Sequence, residues 1–442
     1  MMRGGASAVS LLVFLVFSSA TVSLTCGAGL HLELTHVDAG GSYTTAERAR
    51  RAVERSQRRL GCKPSAGDVH APVKWAGLAA GEDVAEVPIG DPARRVEAIV
   101  DTGSDFIWTQ CTACLPDHCF KQNVPLYNYS ASHSAKPVPC TDKLCKGDVA
   151  VYGCDRQDGS CVFKVGYVSG AFAGHLGKEV FTFPSGAVEL AFGCVSRNSI
   201  GEGGFDGPSG ILGLGRGVLS LVSQTAAGKF SYCLTPYASG DKVSSHLFVG
   251  DSANLTGESP VLSIKFVKNP TDRPYYLYYY LPLVGITVGK TRLPIPSTLF
   301  DLRQVGPGNW SGGVLIDSGS TISLLVDGAY KALAAELTKQ IGGNPVPPPS
   351  TTLAEMLDLC FARGDVDKKA PALLLHFSAG VDMPVPPANY WMPVDNSTAC
   401  MAIARSNDTS SIIGNFQQQD LHVLYDLEQG QLSFQPADCS KL

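Results

Sequence analysis

Short runs of alternating hydrophobic and polar residues recur along most of the chain, with glycine and proline between them. Two such runs, residues 84–89 and 96–100, follow one another closely. Alternation with a period of two predicts β-strands that bury one face. Helical patterns are few. The clearest are residues 220–227 and residues 327–341, the second beginning at Asp327 as an acidic N-cap candidate. The pattern therefore predicts a mostly β protein.

Two of the apolar runs end in the same kind of acidic turn, Asp101-Thr102-Gly103-Ser104 and Asp317-Ser318-Gly319-Ser320. The two aspartates are 216 residues apart (317 − 101). After each turn, two apolar residues followed by a glycine recur in the same order, at residues 211–213 and 412–414. This internal repeat predicts two lobes that each contribute one carboxylate. Paired carboxylates are a recurring device for general acid and base chemistry.

Size and composition agree with two folded β lobes. The chain has 442 residues, of which 44% are hydrophobic and 17% are charged. Such a chain is too long for a single hydrophobic core and too apolar for a disordered protein. The formal net charge of −5 argues against a nucleic-acid partner.

The amino-terminal residues predict an entry into the secretory pathway. Arg3 precedes a short apolar run at residues 9–17, and small residues follow it, so we interpret residues 1–20 as a signal peptide. This run is too short to span a bilayer, and the chain shows no lipid-anchor signal. We therefore expect no stable membrane anchor.

Residues 21–80 are predicted to be a prosegment and linker. Residues 30–34 alternate like a strand, and residues 44–63 have the pattern of a basic helix. Through residue 63 there are eight basic and four acidic residues. The basic side chains of this helix either form a solvated face, or the helix is a cationic plug that is held near an acidic cleft. Residues 64–80 are rich in proline, glycine and alanine, as is typical of a linker.

Fourteen cysteines support an oxidising compartment. Two of them lie in the predicted prosegment, and twelve remain in the body: Cys111, Cys114, Cys119, Cys140, Cys145, Cys154, Cys161, Cys194, Cys233, Cys360, Cys400 and Cys439. A zinc or redox half-site at residues 111–114 lacks a second half, so we expect no metal. Five glycosylation sequons fit a secreted glycoprotein: Asn128, Asn254, Asn309, Asn396 and Asn407.

With these features the chain resembles the pepsin-like aspartic proteases, and within them the nepenthesin-type plant branch. The matching segments are residues 101–111, 210–217, 317–320 and 412–415, and the cysteine-dense residues 111–161 resemble an insertion of that branch. The resemblance covers roughly residues 80–442. It implies a bilobal β fold with the active cleft between the lobes. The expected lobes are residues 81–250, which include the cysteine-rich insertion, and residues 251–442.

The resemblance also implies a mechanism, in which Asp101 and Asp317 share one proton and activate a water molecule that attacks a peptide carbonyl. Thr102 and Ser318 would cross-link the two turns through the backbone. Ser104 and Ser320 would donate hydrogen bonds to the outer carboxylate oxygens. No cofactor is required.

In the family, a hairpin with a tyrosine closes over the cleft. Tyr167 matches that tyrosine, and Trp108 matches the tryptophan that supports it. Relatives usually have glycine and aspartate after the tyrosine, whereas this chain has Val168 and Ser169. The difference is either tolerated drift in a hairpin or a cause of altered specificity or activity.

The family pattern further implies disulfides Cys360–Cys400 and Cys233–Cys439. We also expect Cys119–Cys194 and Cys111–Cys114, with two more bridges among residues 140, 145, 154 and 161. Spacing alone cannot establish such connectivity.

A rival interpretation is a catalytically silent protein of this fold that binds and inhibits a glycosidase. Both acidic turns are intact, which favours a secreted aspartic endopeptidase acting on polypeptide substrates as a monomer. We expect an apoplastic, cell-wall or vacuolar destination. The terminal Ser440-Lys441-Leu442 matches a peroxisomal address. A signal peptide would act earlier, so we do not expect peroxisomal targeting.

The five tyrosines of residues 275–280 are predicted to form a strand of mixed burial.

Overall fold

The computed structural model describes residues 29–39, 41–57, 83–114, 118–146, 151–167, 170–199, 207–237, 243–354 and 356–442. The predicted signal peptide and the predicted linker of residues 64–80 lie outside these residues. Among the described residues, no helix is both long enough and apolar enough to cross a membrane.

The described residues form 28 strands and five α-helices, so the predicted mostly β class is confirmed. The helices are α1 Thr45–Gln57, α2 Leu221–Gln224, α3 Asp327–Ile341, α4 Thr351–Ala354 and α5 Arg363–Lys369. The first fifteen strands are β1 Leu30–His36, β2 Asp83–Ile89, β3 Arg94–Asp101, β4 Trp108–Gln110, β5 Lys136–Pro137, β6 Val151–Cys154, β7 Cys161–Tyr167, β8 Gly170–Phe183, β9 Gly186–Asn198, β10 Gly210–Gly213, β11 Lys229–Cys233, β12 Ser245–Val249, β13 Leu262–Lys265, β14 Leu283–Val288 and β15 Thr291–Arg292. The remaining strands are β16 Arg303–Gly306, β17 Asn309–Ser311, β18 Val314–Ile316, β19 Ser323–Leu325, β20 Cys360–Ala362, β21 Leu373–Phe377, β22 Val381–Val385, β23 Trp391–Pro393, β24 Thr398–Met401, β25 Ile403–Arg405, β26 Ser411–Ile413, β27 Leu421–Asp426 and β28 Gln431–Pro436.

One large sheet contains the strands of the amino-terminal half and also the last two strands of the chain. Its order is β13-β28-β27-β11-β12-β1-β2-β3-β10-β4-β9-β8-β7-β6, and β5 pairs with β8. A separate four-stranded sheet, β18-β26-β19-β25, holds the second acidic turn. The fold is therefore bilobal, with the two acidic turns in different sheets.

The amino-terminal segment is packed into this body. Strand β1 lies between β12 and β2 and buries Leu30, Leu32 and Leu34, as the alternation predicted. Helix α1 buries its apolar residues in a cluster with Leu353 and Met392. On its other side Arg51 donates to the buried Asp38, at 2.6 Å. The described part of the predicted basic helix ends at residue 57. Arg51 therefore contacts a carboxylate of the amino-terminal segment itself.

Local patterns predicted the positions of β1, β2, β3 and α3, with three corrections. The helix predicted at residues 220–227 is shortened to α2, Leu221–Gln224. Helix α3 spans the predicted residues, but Val326 occupies the N-cap and Asp327 is the first helical residue, where it pairs with Lys331 at 2.7 Å. The tyrosine-rich residues 275–280 do not form the predicted strand. They contain a 3₁₀ turn, Tyr275–Leu277, because the Asn269 side-chain amide donates to carbonyls that a strand would offer to a neighbour.

Six disulfides are present among the described residues. Cys233–Cys439 and Cys360–Cys400 form as expected, and the four remaining insertion cysteines pair as Cys140–Cys154 and Cys145–Cys161. The predicted Cys119–Cys194 and Cys111–Cys114 bridges are wrong, because the structure pairs Cys111 with Cys194 and Cys114 with Cys119. Strand β4 runs parallel to β9 with Thr109 opposite Cys194, which brings the Cα atoms of Cys111 and Cys194 within 5.5 Å.

Candidate functional site

Each acidic turn follows a strand that ends in mostly buried residues. That strand pairs in parallel with an apolar strand from later in the same lobe. Strand β3 pairs with β10, with Asp101 opposite Gly213. Strand β18 pairs with β26, with Ile316 opposite Ile413. These are the two apolar repeats noted in the sequence. Their pairing fixes the position at which each strand ends and so where each carboxylate emerges.

Within each turn the carboxylate is held by the same two donors. In the first turn, the Gly103 amide donates to Asp101 Oδ1 at 2.8 Å and the Ser104 hydroxyl donates to Oδ2 at 2.5 Å. In the second turn, the Gly319 amide donates to Asp317 Oδ1 at 2.9 Å. The Ser320 hydroxyl donates to its Oδ2 at 2.7 Å. Both carboxyl groups are therefore oriented by a matched pair of hydrogen bonds.

Reciprocal hydrogen bonds join the two turns across the lobe interface. The Thr102 amide donates to Ser318 Oγ at 3.1 Å, and the Ser318 amide donates to Thr102 Oγ1 at 2.9 Å. The Ser318 hydroxyl also donates to the carbonyl of Val100 at 2.9 Å. This is the cross-link that the resemblance implied, and it ties two segments 216 residues apart in sequence.

Gly103 shows how closely the turns approach. A Cβ atom at this position would lie 2.7 Å from Asp317 Oδ2, far inside van der Waals contact. A side chain is thus excluded by the opposing carboxylate itself. Asp101 is 2% exposed and Asp317 is 7% exposed, so the two carboxylates meet in a largely desolvated place.

Sequence reasoning missed a set of buried polar groups behind the second turn. The Asn415 side chain donates to the carbonyl of Ser318 at 2.9 Å, and the Gln418 side chain donates to that of Ile413 at 3.0 Å. Gln418 also accepts a hydrogen bond from the hydroxyl of Tyr232, which lies 2.8 Å from that of Tyr425. The available signal was the four amide residues among residues 415–419, directly after an apolar strand.

Tyr167 ends β7 at the tip of a β7–β8 hairpin, as a flap residue would. The Trp108 indole donates to the Tyr167 hydroxyl at 3.0 Å. Burial, and then the nearby charge of Asp101, raises the pKa of Tyr167, so its hydroxyl stays protonated. Val168 and Ser169, on which the predicted departure from the family rests, lie outside the described residues.

Comparison with known proteins agrees with this geometry. Aspartic proteinase nepenthesin-1 of Nepenthes gracilis is 36% identical over 418 residues, which are 93% of this chain and 90% of that protein. Nepenthesin-2 of the same plant is also 36% identical, over 93% of this chain and 90% of that protein. The chain belongs to the pepsin-like aspartic proteases, in the nepenthesin-type branch. Aspartyl protease family protein 2 of Arabidopsis thaliana is 34% identical, over 93% of this chain and 86% of that protein.

Two family models and two solved structures extend the comparison of this aspartic protease family member. The models described as xylanase inhibitor N-terminal and xylanase inhibitor C-terminal match residues 84–251 and 278–436. The crystal structure of edgp superimposes with a TM-score of 0.66 at 16% identity, covering 94% of this chain and 96% of that one. Basic 7S globulin from soybean gives a TM-score of 0.63 at 15% identity, covering 94% and 99%. These likenesses show the pepsin-like fold.

The other predicted sites of this family member fall on its surface. All five sequon asparagines are exposed. In the described parts of the chain, no three histidine, cysteine, aspartate or glutamate side chains cluster as metal ligands would. Ser440 and Lys441 of the terminal tripeptide lie in a 3₁₀ turn, and both contact Asp438 beside the Cys233–Cys439 bridge.

Proposed function

We propose that the protein is an aspartic endopeptidase that hydrolyses polypeptides at acid pH. The observation that carries this proposal is that two matched acidic turns lie against each other. Each turn has its carboxylate held by a glycine amide and a serine hydroxyl. Two adjacent carboxylates do not both ionise readily, so in the proposed mechanism the pair shares one proton. One member then serves as general base and the other as general acid.

The mechanism follows from this division of roles. The ionised member of the Asp101–Asp317 pair deprotonates a water molecule, which attacks the scissile carbonyl. The protonated member donates to the carbonyl oxygen and later passes a proton to the leaving amine. Tyr167, held by Trp108, would close over the bound peptide and exclude water. No cofactor and no covalent enzyme intermediate are needed.

The same proposal includes the biogenesis of the protein. Residues 1–20 would direct secretion, residues 21–80 would be removed as a prosegment, and the body would carry disulfides and N-linked sugars at the five exposed sequons. The lobes would be residues 81–250 and 251–442. The final destination would be the apoplast, cell wall or vacuole, with the mature enzyme acting as a monomer.

The test is cleavage of a denatured protein between about pH 2 and 6, the range in which carboxylate dyads titrate. We expect cleavage that pepstatin inhibits and that Asp101→Asn and Asp317→Asn each abolish, with both variants unfolding at the wild-type temperature. Absence of cleavage by the matured wild-type protein throughout that range would overturn the proposal.

A second candidate is a binding protein of the same fold. It is favoured by one observation, the match of both family models described as parts of a xylanase inhibitor. A pull-down and inhibition assay with microbial xylanases would support it if the protein binds and inhibits without cleaving any protein substrate. Pepstatin-sensitive cleavage without xylanase inhibition would exclude it.

A further inference from the structure

The cysteine-rich insertion lies along the outer edge of the flap hairpin. Its strand β6 pairs antiparallel with β7, with Cys154 opposite Cys161. The Cys145–Cys161 disulfide then ties the insertion to the first residue of β7. A two-stranded hairpin is marginally stable by itself. The insertion therefore braces the base of the hairpin that carries Tyr167.

Phe120 is the side chain that this insertion sends behind the flap. Phe120 is 9% exposed, and its ring meets Trp108 edge-on, with centroids 6.3 Å apart and planes at 84°. It meets Phe172 of β8 in the same way, at 6.3 Å and 87°. Trp108 and Phe172 pack on each other at 4.4 Å. Phe120 thus touches both aromatic rings that support the flap tyrosine.

The backbone of Phe120 is clamped by one buried side chain. The Phe120 amide donates to Gln110 Oε1 at 2.8 Å, and Gln110 Nε2 donates to the Phe120 carbonyl at 2.9 Å. Gln110 is completely buried. The Cys114–Cys119 disulfide ties the residue before Phe120 to Cys114. The position of this ring is therefore over-determined, although it lies in an insertion.

Gln110 and Trp108 belong to the same strand, β4, two residues apart. Alternate residues of a strand point to the same side, so one strand holds Phe120 in place and also supplies its aromatic partner. Trp108 in turn donates to the Tyr167 hydroxyl at 3.0 Å, and Tyr167 packs edge-on against Phe172 at 5.6 Å. Contacts are continuous from the insertion to the flap tyrosine.

We propose that Phe120 is a positioning residue for the flap and that it acts through Trp108 on Tyr167. The inference rests on the proposed proteolytic function and assigns a role in it to the cysteine-rich insertion. Removing the Phe120 ring leaves space beside Trp108 and Phe172, so the indole gains freedom to turn away from Tyr167. The flap then closes less often in the geometry that the transition state requires.

The experiment is a double-mutant cycle on the matured enzyme with a peptide substrate at acid pH. Phe120→Leu and Tyr167→Phe are made singly and together, and kcat and KM are measured separately. We expect Phe120→Leu to lower kcat by about 3- to 10-fold, the range of an aromatic pair, with KM changed less than kcat. In the Tyr167→Phe background, Phe120→Leu should have almost no further effect, because the bond through which it acts is gone.

Phe181→Leu is the matched control. Phe181 is buried on the same strand as Phe172, but it packs against Phe192 at 5.9 Å. It should lower the unfolding temperature as Phe120→Leu does while leaving kcat near wild type. Phe120→Met, whose flexible thioether adapts to an irregular gap, repeats the cycle if the leucine variant folds poorly.

Outcomes separate the two proposals. An active wild type in which the Phe120 and Tyr167 substitutions are additive, or in which Phe120→Leu changes only the unfolding temperature, overturns this inference alone. A matured wild type without activity overturns the proposed function and the inference with it.

Discussion

The two acidic turns have nearly the same internal geometry but different surroundings. The lobe of the Asp101 turn also contains the Trp108–Tyr167 bond and an insertion held by disulfides. Behind the Asp317 turn lie buried amide side chains, of which Asn415 donates to a turn carbonyl at 2.9 Å. The hydrogen bonds within each turn are therefore local and alike, whereas the residues that surround and support the turn differ between the lobes.

The largest expected effect tests whether the two turns act as one unit. Asp101→Asn and Asp317→Asn should each lower kcat by about 10³-fold or more, and to a similar extent, because residues that act together are strongly non-additive. Steady-state kinetics of both variants and of the double variant measure this. Asp367→Asn, which removes an exposed carboxylate on α5, should leave kcat unchanged. Retention of a tenth or more of the activity in either dyad variant would contradict the equivalence.

A smaller effect should separate the two turns. Ser104→Ala and Ser320→Ala each remove the donor to an outer carboxylate oxygen, which should lower kcat by about 10- to 100-fold. Ser320 is 4% exposed, whereas Ser104 is partly exposed. Water can replace the lost hydroxyl more readily at Ser104, so the loss should be larger for Ser320→Ala. Equal losses in parallel kinetic assays would show that solvent access does not distinguish the turns.

The cross-link between the turns should matter for stability. Thr102→Val and Ser318→Ala delete one hydroxyl each and leave a buried backbone amide without its acceptor, which should cost about 1–3 kcal/mol of the free energy of unfolding. Because both hydroxyls serve the same contact, the double variant should lose less than the sum. Urea unfolding of the four proteins gives these values. Thr102→Ser keeps the hydroxyl and should remain close to wild type.

Titratable groups in the shared sheet should change stability with pH, and their effects should have opposite signs. Burial raises the pKa of Asp83 on β2 to about 6, although a hydrogen bond with Ser245 opposes this. Burial, followed by the neighbouring His246, lowers the pKa of His422 on β27 to about 4. The Asp83 contribution to stability is present in acid and is lost as the pH rises from about 4 to 6. The His422 contribution is present above about 6.5 and is lost as the pH falls towards 4.

Unfolding midpoints measured from pH 3.5 to 7.5 check these signs. His422→Gln, which can keep a hydrogen bond to Ser231, should reduce the loss of stability on the acid side. Asp83→Asn should reduce the loss on the neutral side. A pH profile of stability that neither variant changes would show that other groups set the pH response.

Much of the fold was predictable where a local pattern carries the information. The alternation of residues 84–89 and 96–100 predicted β2 and β3, and the helical period of residues 327–341 predicted α3. The strand predicted at residues 275–280 does not form, because the nearby Asn269 side chain donates to carbonyls of the run, and no residue inside the run signals that. The predicted partners of Cys111 and Cys194 were wrong for a different reason, since the long-range parallel pairing of β4 with β9 decides which sulfurs meet.

By itself, the sequence determined the two Asp-Thr/Ser-Gly-Ser turns, the strands that lead into them and the family, because each is written in contiguous residues. Only the tertiary structure decided that Gly103 faces the Asp317 carboxylate, that Asn415 and Gln418 donate to carbonyls of the second turn, and that Phe120 packs on Phe172 beside the flap tyrosine. The physical reason is that these contacts join residues distant in sequence. Such contacts depend on how the sheets pair and twist, which no local pattern specifies.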